Sequence, residues 1–326
     1  MPATEAQAGP VRGLDAAALG DVLAAVLDLV RDHEDELNRL NVFPVRDHDT
    51  GTNMTLTLEG AVKAVEATSG RPMRELARAV VDAAMVEARG NSGTILAEVL
   101  RGLFETWAPL ELVGPADLVR GFRAAAERAK QSVLEPVEGT ILTVARVTAD
   151  AMEELAPADV NALLAGAAEA AGRAVEATTG QLAALRRAGV VDAAARGFEL
   201  CVRAFATTVA EEGPRAAPSE APGPVARASG TRPAAEAATQ APAPGDGRPG
   251  PAFEVQYLLA SGEEEVRDLE RSLATIGDSI TVARGDGRYR VHVHTDDAGA
   301  AIEEGVQRGR VSSIQVAYLG DASRSG

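Results

Sequence analysis

A chain of 326 residues with a formal net charge of −16 is long enough for two domains, each with its own core. The acidic balance, with Lys63 and Lys130 the only lysines, excludes a general nucleic-acid backbone binder, and no G-x-x-x-x-G-K-[ST] phosphate loop is present. One cysteine, Cys201, excludes an internal disulfide and reads as a small buried hydrophobe in a reducing compartment. No apolar run reaches membrane-span length, and Met1 to Gly13 lacks both a basic start and an apolar stretch, so a cytoplasmic protein without a signal peptide is expected.

Residues 1–12 read as a disordered N-terminus. From Leu14 onward, Leu19, Val22, Leu23, Val26, Leu27 and Val30 recur at helical spacing, and the stripe continues through Leu37 and Leu40. The second helix follows Thr50 and ends at Ser69-Gly70; the third runs from Pro72 to Ala88. Gly90-Asn91-Ser92-Gly93 breaks the chain before the fourth, which carries Ile95, Leu96, Val99, Leu100 and Leu103. The fifth spans Ala116 to Leu134 and the sixth Ile141 to Leu155. A long seventh starts at Asp159, a plausible N-cap, and an eighth follows Asp192 and ends near Glu212. Eight helices over 13–213 predict an all-α up-and-down bundle or barrel. Residues 214–250, rich in Pro, Ala and Gly, read as a disordered linker. Over 251–321 the pattern changes to strand, helix, two strands flanking Gly285-Asp286-Gly287, helix and strand. That succession predicts a small ferredoxin-like βαββαβ domain of α+β type, with 322–326 as a tail.

In an up-and-down array the loops before helices two, four, six and eight share one end. These are the Asp47/Asp49 segment, Gly90 to Gly93, Glu138-Gly139-Thr140 and Asp192 to Gly197, so the polar, glycine-bearing breaks converge. The first is the most informative. It runs Asn41-Val-Phe-Pro-Val-Arg-Asp-His-Asp-Thr-Gly-Thr-Asn-Met54, placing two carboxylates just before a helix start. Helix N-termini attract anions, and Mg²⁺ is commonly held by one or two carboxylates plus substrate phosphates. A capped helix with acidic first-turn residues would use the same residue types. In the second domain His292 and His294 share one strand face, with Glu254 on the matching face of the first strand. This set is compatible with a metal or with ordinary hydrogen-bonded histidines.

The Asn41–Met54 run closely resembles the opening motif of the nucleotide-binding subunit of bacterial fatty acid kinase, whose domain is related to the L subunit of dihydroxyacetone kinase. Ala88-Arg-Gly-Asn-Ser-Gly93, Pro136-Val-Glu-Gly-Thr-Ile-Leu-Thr143 and Gly189-Val-Val-Asp-Ala193 match its later motifs in order. Gly277-Asp-Ser279 and Val291-His-Val-His-Thr-Asp296 resemble that family's middle domain. The resemblance implies an eight-helix barrel with ATP and Mg²⁺ at one end, in a kinase serving phospholipid metabolism. The acceptor would be a fatty acid on a separate DegV-like lipid-binding protein. Asp47 and Asp49 would be the catalytic metal ligands, with Asn41 a third. Thr50, Thr52, Asn53, Gly90, Asn91, Ser92 and Gly93 would contact the nucleotide phosphates, and Thr140 and Asp192 would close the pocket. In some members a cysteine joins the two strand histidines at Zn²⁺; Glu254 stands at that place. No nucleic acid or membrane insertion is implied, and a homodimer is left open.

The chain departs from the family pattern at four places. Arg46-Asp47-His48-Asp49 replaces Pro-Asp-Gly-Asp, putting a histidine where glycine would adopt φ > 0 and adding positive charge that competes with Mg²⁺ for the carboxylates. Asp192-Ala-Ala-Ala195 replaces Asp-Ala-Gly-Gly, which would be strained if either glycine were left-handed. Glu254 replaces the cysteine, and the family's third, C-terminal DegV-like domain is expected to be missing after Gly326, as in a natural short form or a fragment. A nucleotide-binding regulator without turnover, and a dihydroxyacetone-type (glycerone) kinase, stand as alternatives to the fatty acid kinase reading.

Overall fold

The computed structural model describes residues 13–155, 159–212 and 251–319. The expectations for residues 1–12, 214–250 and 322–326 lie outside the described residues. Residues 13–212 are mostly helical: α1 (Ala16–Asp32), α2 (Glu34–Leu40), α3 (Thr50–Ala67), α4 (Met73–Glu87), α5 (Gly90–Trp107), α6 (Pro115–Gln131), α7 (Ile141–Glu154), α8 (Val160–Gln181), α9 (Ala183–Ala188) and α10 (Ala193–Glu212). Eight are long. Two of the expected helices are interrupted: the first at His33, whose ring turns back to the Leu29 carbonyl, and the seventh at Leu182, which is extended. Both interruptions still let an apolar side chain reach the core, Leu37 from α2 and Leu185 from α9. Periodicity shows the buried stripe but not a one-residue change of axis within it.

Each long helix packs on the next in sequence, α1 on α3, α3 on α4 and onward to α8 on α10, and α10 returns to α1. The interior is largely aliphatic, with Trp107 edge-on to Phe104 and Phe205 and a tilted contact between Phe205 and Phe122. The Trp107 indole N–H donates to the Asp117 carbonyl at 3.0 Å, so its polar handle is paired. Cys201 is half-buried by area, with its thiol against this core, and burial pushes the thiol up to about 12, which suits a packing residue and not a nucleophile.

The second domain is β1 (Phe253–Ala260), α11 (Glu263–Leu273), β2 (Gly277–Arg284), β3 (Arg288–Thr295), α12 (Ala298–Arg308) and β4 (Arg310–Tyr318). Its sheet has the order β2-β3-β1-β4, and every neighbouring pair is antiparallel. Val255, Tyr257, Leu259, Val282, Val291 and Val293 form one face and pack with Val266, Leu269 and Leu273 of α11. The register sets Glu254 opposite His294 and Gln256 opposite His292 on the other face. That polar face is not solvated. It is buried against the helical domain, with β2 and β3 seated on α5.

Hydrogen bonds from several elements join the two domains at that seat. The free edge of β2 pairs with the segment after α6, Val282 N–H donating to the Ser132 carbonyl at 2.8 Å and Leu134 N–H to the Ile280 carbonyl at 3.2 Å. Arg101 donates to the Arg284 carbonyl at 2.6 Å, and the buried Glu98 carboxylate accepts the Arg284 N–H. Arg290, fully buried, donates to the Val86 carbonyl at the end of α4. The second domain thus forms a wall over the helix ends where the polar loops converge.

Candidate nucleotide site

The convergence is a cavity of about 490 Å³ between the domains. Asn41, Asp47, Asp49, Thr50, Gly90, Asn91, Ser92, Thr140 and Asp192 line it from the helical domain; Glu254, Ser279, Thr281, His292 and His294 line it from the sheet. All four loops expected at one end contribute. Val133, Leu134, Val137, Ile141 and Leu142 add an apolar part to the lining.

The geometry at Asp49 separates a helix cap from a free carboxylate. Asp49 occupies the N-cap position of α3, yet its side chain makes no capping bond. That work is done by Asn38 of α2, whose Oδ1 accepts the N–H groups of Gly51 at 2.7 Å and Thr52 at 3.2 Å. Gly51 permits this approach, because a Cβ there would lie 2.3 Å from the Glu34 carbonyl oxygen. Asp49 is therefore left facing Asp47. Asn41 bridges the two, its amide donating to Asp47 and, at 3.4 Å, to Asp49.

Burial, and then the Asp49 charge, push the Asp47 carboxyl up to about 7; burial also raises Asp49. Two carboxylates held this close repel one another unless a proton or cation intervenes. A divalent cation in their place of contact removes both penalties, so the donor set fits Mg²⁺. For Asn41 to join as a ligand its amide must present oxygen, a half-turn from the arrangement described.

The remaining expected residues fall into distinct positions. Gly90 has φ 57 and begins α5, so Gly90 to Gly93 forms that helix's first turn instead of preceding it. The Arg89 side chain does not cap α5, whose Gly90 N–H is taken by Gln256 of the sheet, and Asn91 Oδ1 is buried without a partner among the described residues, beside Ser92 on the cavity wall. The N–H groups that follow Gly90 and an orphaned amide oxygen at a helix start are what a bound anion with its cation would satisfy. Thr140 caps α7 and Asp192 caps α10, each at the cavity edge; burial pushes the Asp192 carboxyl up to about 6.

Three expected phosphate contacts do not line the cavity. Thr52 turns towards α2 and donates to Glu34 at 2.8 Å. Gly93 lies against Thr57 and the Asn53 carbonyl, where a Cβ would meet oxygen at 2.6 Å. Asn53 does not line the wall; its N–H donates to the Asp49 carbonyl at 2.8 Å. Loop sequence marks a helix start but does not say which of its residues turn inward; that follows from packing against α2 and α5.

Two of the sequence departures take a different form in the structure. His48 does have φ 58, but its ring points to the Asn38 carbonyl at 3.0 Å. Neither it nor the exposed Arg46 lines the cavity, so their competition with a cation for the carboxylates is not supported. Ala194 and Ala195 lie in the right-handed first turn of α10 and carry no left-handed strain.

Glu254, His292 and His294 offer ligand atoms that all lie within 4.8 Å of one another, each residue buried. His292 Nδ1 is 3.1 Å from Glu254 Oε1, a close contact without hydrogen-bond alignment. Both ring nitrogens of His292, the Nδ1 of His294 and the hydroxyl of neighbouring Thr281 are thus buried without partners among the described residues. Burial, then the charge of His292, push the His294 imidazole down to about 3, so it is neutral and able to act as a ligand at neutral pH. Burial alone would raise Glu254, but the nearby histidines bring its carboxyl below the usual range. Orphaned nitrogens around an ionised carboxylate fit a cation. Asn38, Gln256 and Thr281, all missed in the sequence, join the site by tertiary contact; as an isolated helix or strand residue, none carries a local signal.

The geometry defines a helical nucleotide-type site completed by a second domain, and comparison with known families gives the class. Residues 44–207, just over half of the chain, match the DAK2 domain, and residues 250–325 match the middle domain of FakA-like fatty acid kinase proteins. The chain belongs to the DAK2 domain family, with the domain order of a FakA-type kinase. An uncharacterized protein of Staphylococcus saprophyticus is 27% identical over 323 residues, covering 96% of this chain and 57% of its own length. Protein YloV of Bacillus subtilis is 27% identical over 310 residues, with 94% and 56% covered. The chain therefore spans a little over half the length of these relatives. A dihydroxyacetone kinase from C. freundii, solved with AMP-PNP and Mg²⁺, aligns with 64% of this chain and 37% of its own at 16% identity and a TM-score of 0.46, a distant likeness.

Proposed function

We propose that the chain is the ATP-dependent kinase component of a fatty acid kinase, phosphorylating the carboxylate of a fatty acid carried by a separate DegV-like protein. The observation that carries this reading is the Asp47–Asp49 pair, freed from capping and lining the same cavity as Gly90, Asn91 and Ser92 of the first turn of α5. The ring of helices and the β2-β3-β1-β4 order support the finer reading of an eight-helix barrel with a ferredoxin-like domain.

Asp47, Asp49 and Asn41 would hold Mg²⁺, which when bound neutralises charge on the β- and γ-phosphates. The α5 first turn, with Asn91 and Ser92, binds and orients the phosphates, and Thr50 stands beside Asp49 at the start of α3. The apolar wall from Val133 to Leu142 suits the base, and Asp192 and Thr140 close the pocket. A fatty acid is already ionised at neutral pH, so its oxygen attacks the γ-phosphorus without a general base. The bond to the bridging oxygen breaks, and the products are acyl phosphate and ADP. Positioning and charge neutralisation carry such a transfer, and this residue set supplies both. Glu254, His292 and His294 would hold a second cation, Zn²⁺ by resemblance, joining β1 to β3.

The test is product analysis with ATP and either lipid-loaded carrier or dihydroxyacetone, trapping acyl phosphate as its hydroxamate. Hydroxamate is expected only when the carrier is present, and not from free fatty acid. Dihydroxyacetone phosphate as the sole product, or nucleotide binding with no product, overturns the reading.

A further inference from the structure

The sheet's cation cluster touches the phosphate-facing turn through one side chain. Gln256 lies two residues from Glu254 on the same strand face, and its Nε2 donates to Glu254 Oε1 at 2.5 Å. Its Oε1 accepts the N–H of Gly90, the first residue of α5, at 3.2 Å. The Gly90 N–H fixes which end of the amide is oxygen, and so leaves the NH₂ group for Glu254. Gln256 is itself buried, so neither bond is exchanged for water at little cost. A Cβ on Gly90 would lie 2.4 Å from Asn53 Nδ2 and 3.8 Å from Glu254 Oε1, so this turn runs close to both Asn53 and the sheet's carboxylate.

We propose that Gln256 is a positioning residue that couples cation occupancy at Glu254, His292 and His294 to nucleotide binding at the α5 turn. A cation drawing on Glu254 Oε1 changes what Gln256 Nε2 can donate to, and with it the hold on the Gly90 N–H. A nucleotide that orders the Gly90 to Gly93 turn fixes Gln256 and hence the orientation of Glu254 towards the cation. Because affinities are linked reciprocally, each ligand strengthens the other by the same factor. The sign follows from ordering: each ligand fixes the Gln256 amide, so the other has less freedom to remove when it binds. This coupling rests on the nucleotide reading of the cavity, and the test separates the two.

Co²⁺ is the probe, because a two-histidine, one-carboxylate site gives it visible absorption that oxygen-only sites match poorly. The full chain is titrated with Co²⁺ in excess Mg²⁺, with and without AMP-PNP, and the His292→Ala variant defines the signal from this site. Nucleotide is expected to tighten Co²⁺ binding about five-fold or more, and Co²⁺ to tighten nucleotide equally. In Gln256→Met, which keeps volume but has no amide, Co²⁺ and nucleotide each still bind alone while most of the mutual factor is lost. Unchanged Co²⁺ affinity with bound nucleotide in the wild-type chain overturns the coupling, and a full factor retained in Gln256→Met overturns the role of Gln256. Failure of AMP-PNP to bind at all counts instead against the nucleotide reading.

Discussion

His48 gives a test in which the sign alone discriminates. It separates the two site carboxylates with φ 58, in the left-handed region where a Cβ costs roughly 1–2 kcal/mol. Histidine tolerates this region better than most residues, so about 1 kcal/mol is the appropriate end. Its exposed ring recovers part of that through the 3.0 Å contact with the Asn38 carbonyl, worth about 0.5 kcal/mol at such a position. His48→Ala loses the contact and keeps the strain; His48→Gly loses the contact and the strain, at about 0.4–1 kcal/mol of extra unfolded-state entropy. The glycine variant should therefore match or exceed the alanine variant by up to about 0.5 kcal/mol, whereas inside a helix glycine is about 1 kcal/mol worse. Urea midpoints of the helical-domain transition measure the difference, and Mg·ATP titration follows function. Because the ring does not line the cavity, both variants should keep nucleotide affinity and neither should gain turnover. An alanine variant clearly more stable than the glycine variant refutes the strain; a ten-fold loss of affinity in both refutes the placement of the ring.

Replacing both site carboxylates, Asp47→Asn with Asp49→Asn, should abolish Mg·ATP binding while leaving helical circular dichroism unchanged, since neither caps α3. Asn38→Ala should instead lower stability by about 1 kcal/mol, the usual cost of a lost cap; equal unfolding midpoints for Asn38→Ala and wild type would show that α3 is capped otherwise. Asp192 holds its proton more tightly folded, at about 6, than unfolded, near 3.8, so its contribution is full below pH 4 and lost as pH rises to 6. Relative to Asp192→Asn, the wild-type chain should lose roughly 3 kcal/mol across that window, an order-of-magnitude value, and parallel stability profiles would contradict it. Gly102→Ala places a Cβ 2.5 Å from the Ala125 backbone, where α5 meets α6. Overpacking of about 1–3 kcal/mol should exceed the helix-propensity gain of about 1 kcal/mol, so the melting temperature falls; a rise would mean that the helices part freely.

Much of this molecule was local in the sequence. The three- and four-residue stripes place all eight long helices, because an amphipathic helix must bury one face wherever the chain later goes. Alternation in Val291-His-Val-His294 places the valines under the domain's own helices and both histidines on the other face, because strand side chains alternate. The expected convergence of the breaks agrees with Asp47, Ser92, Thr140 and Asp192 lining one cavity.

The tertiary structure decided what no local pattern encodes. Whether Asp49 caps α3 depends on Asn38, a residue inside another helix that reaches the same N–H groups first. Whether Thr52 faces the cavity depends on Glu34, which takes its hydroxyl. The strand face bearing Glu254, Gln256 and the two histidines is polar, and by itself reads as the solvent side. It is buried because the edge of β2 pairs with the segment after α6, which closes the sheet over the helix ends. Burial by a distant part of the chain then leaves those polar atoms in need of partners, and that need is what makes the face a candidate site and not a surface.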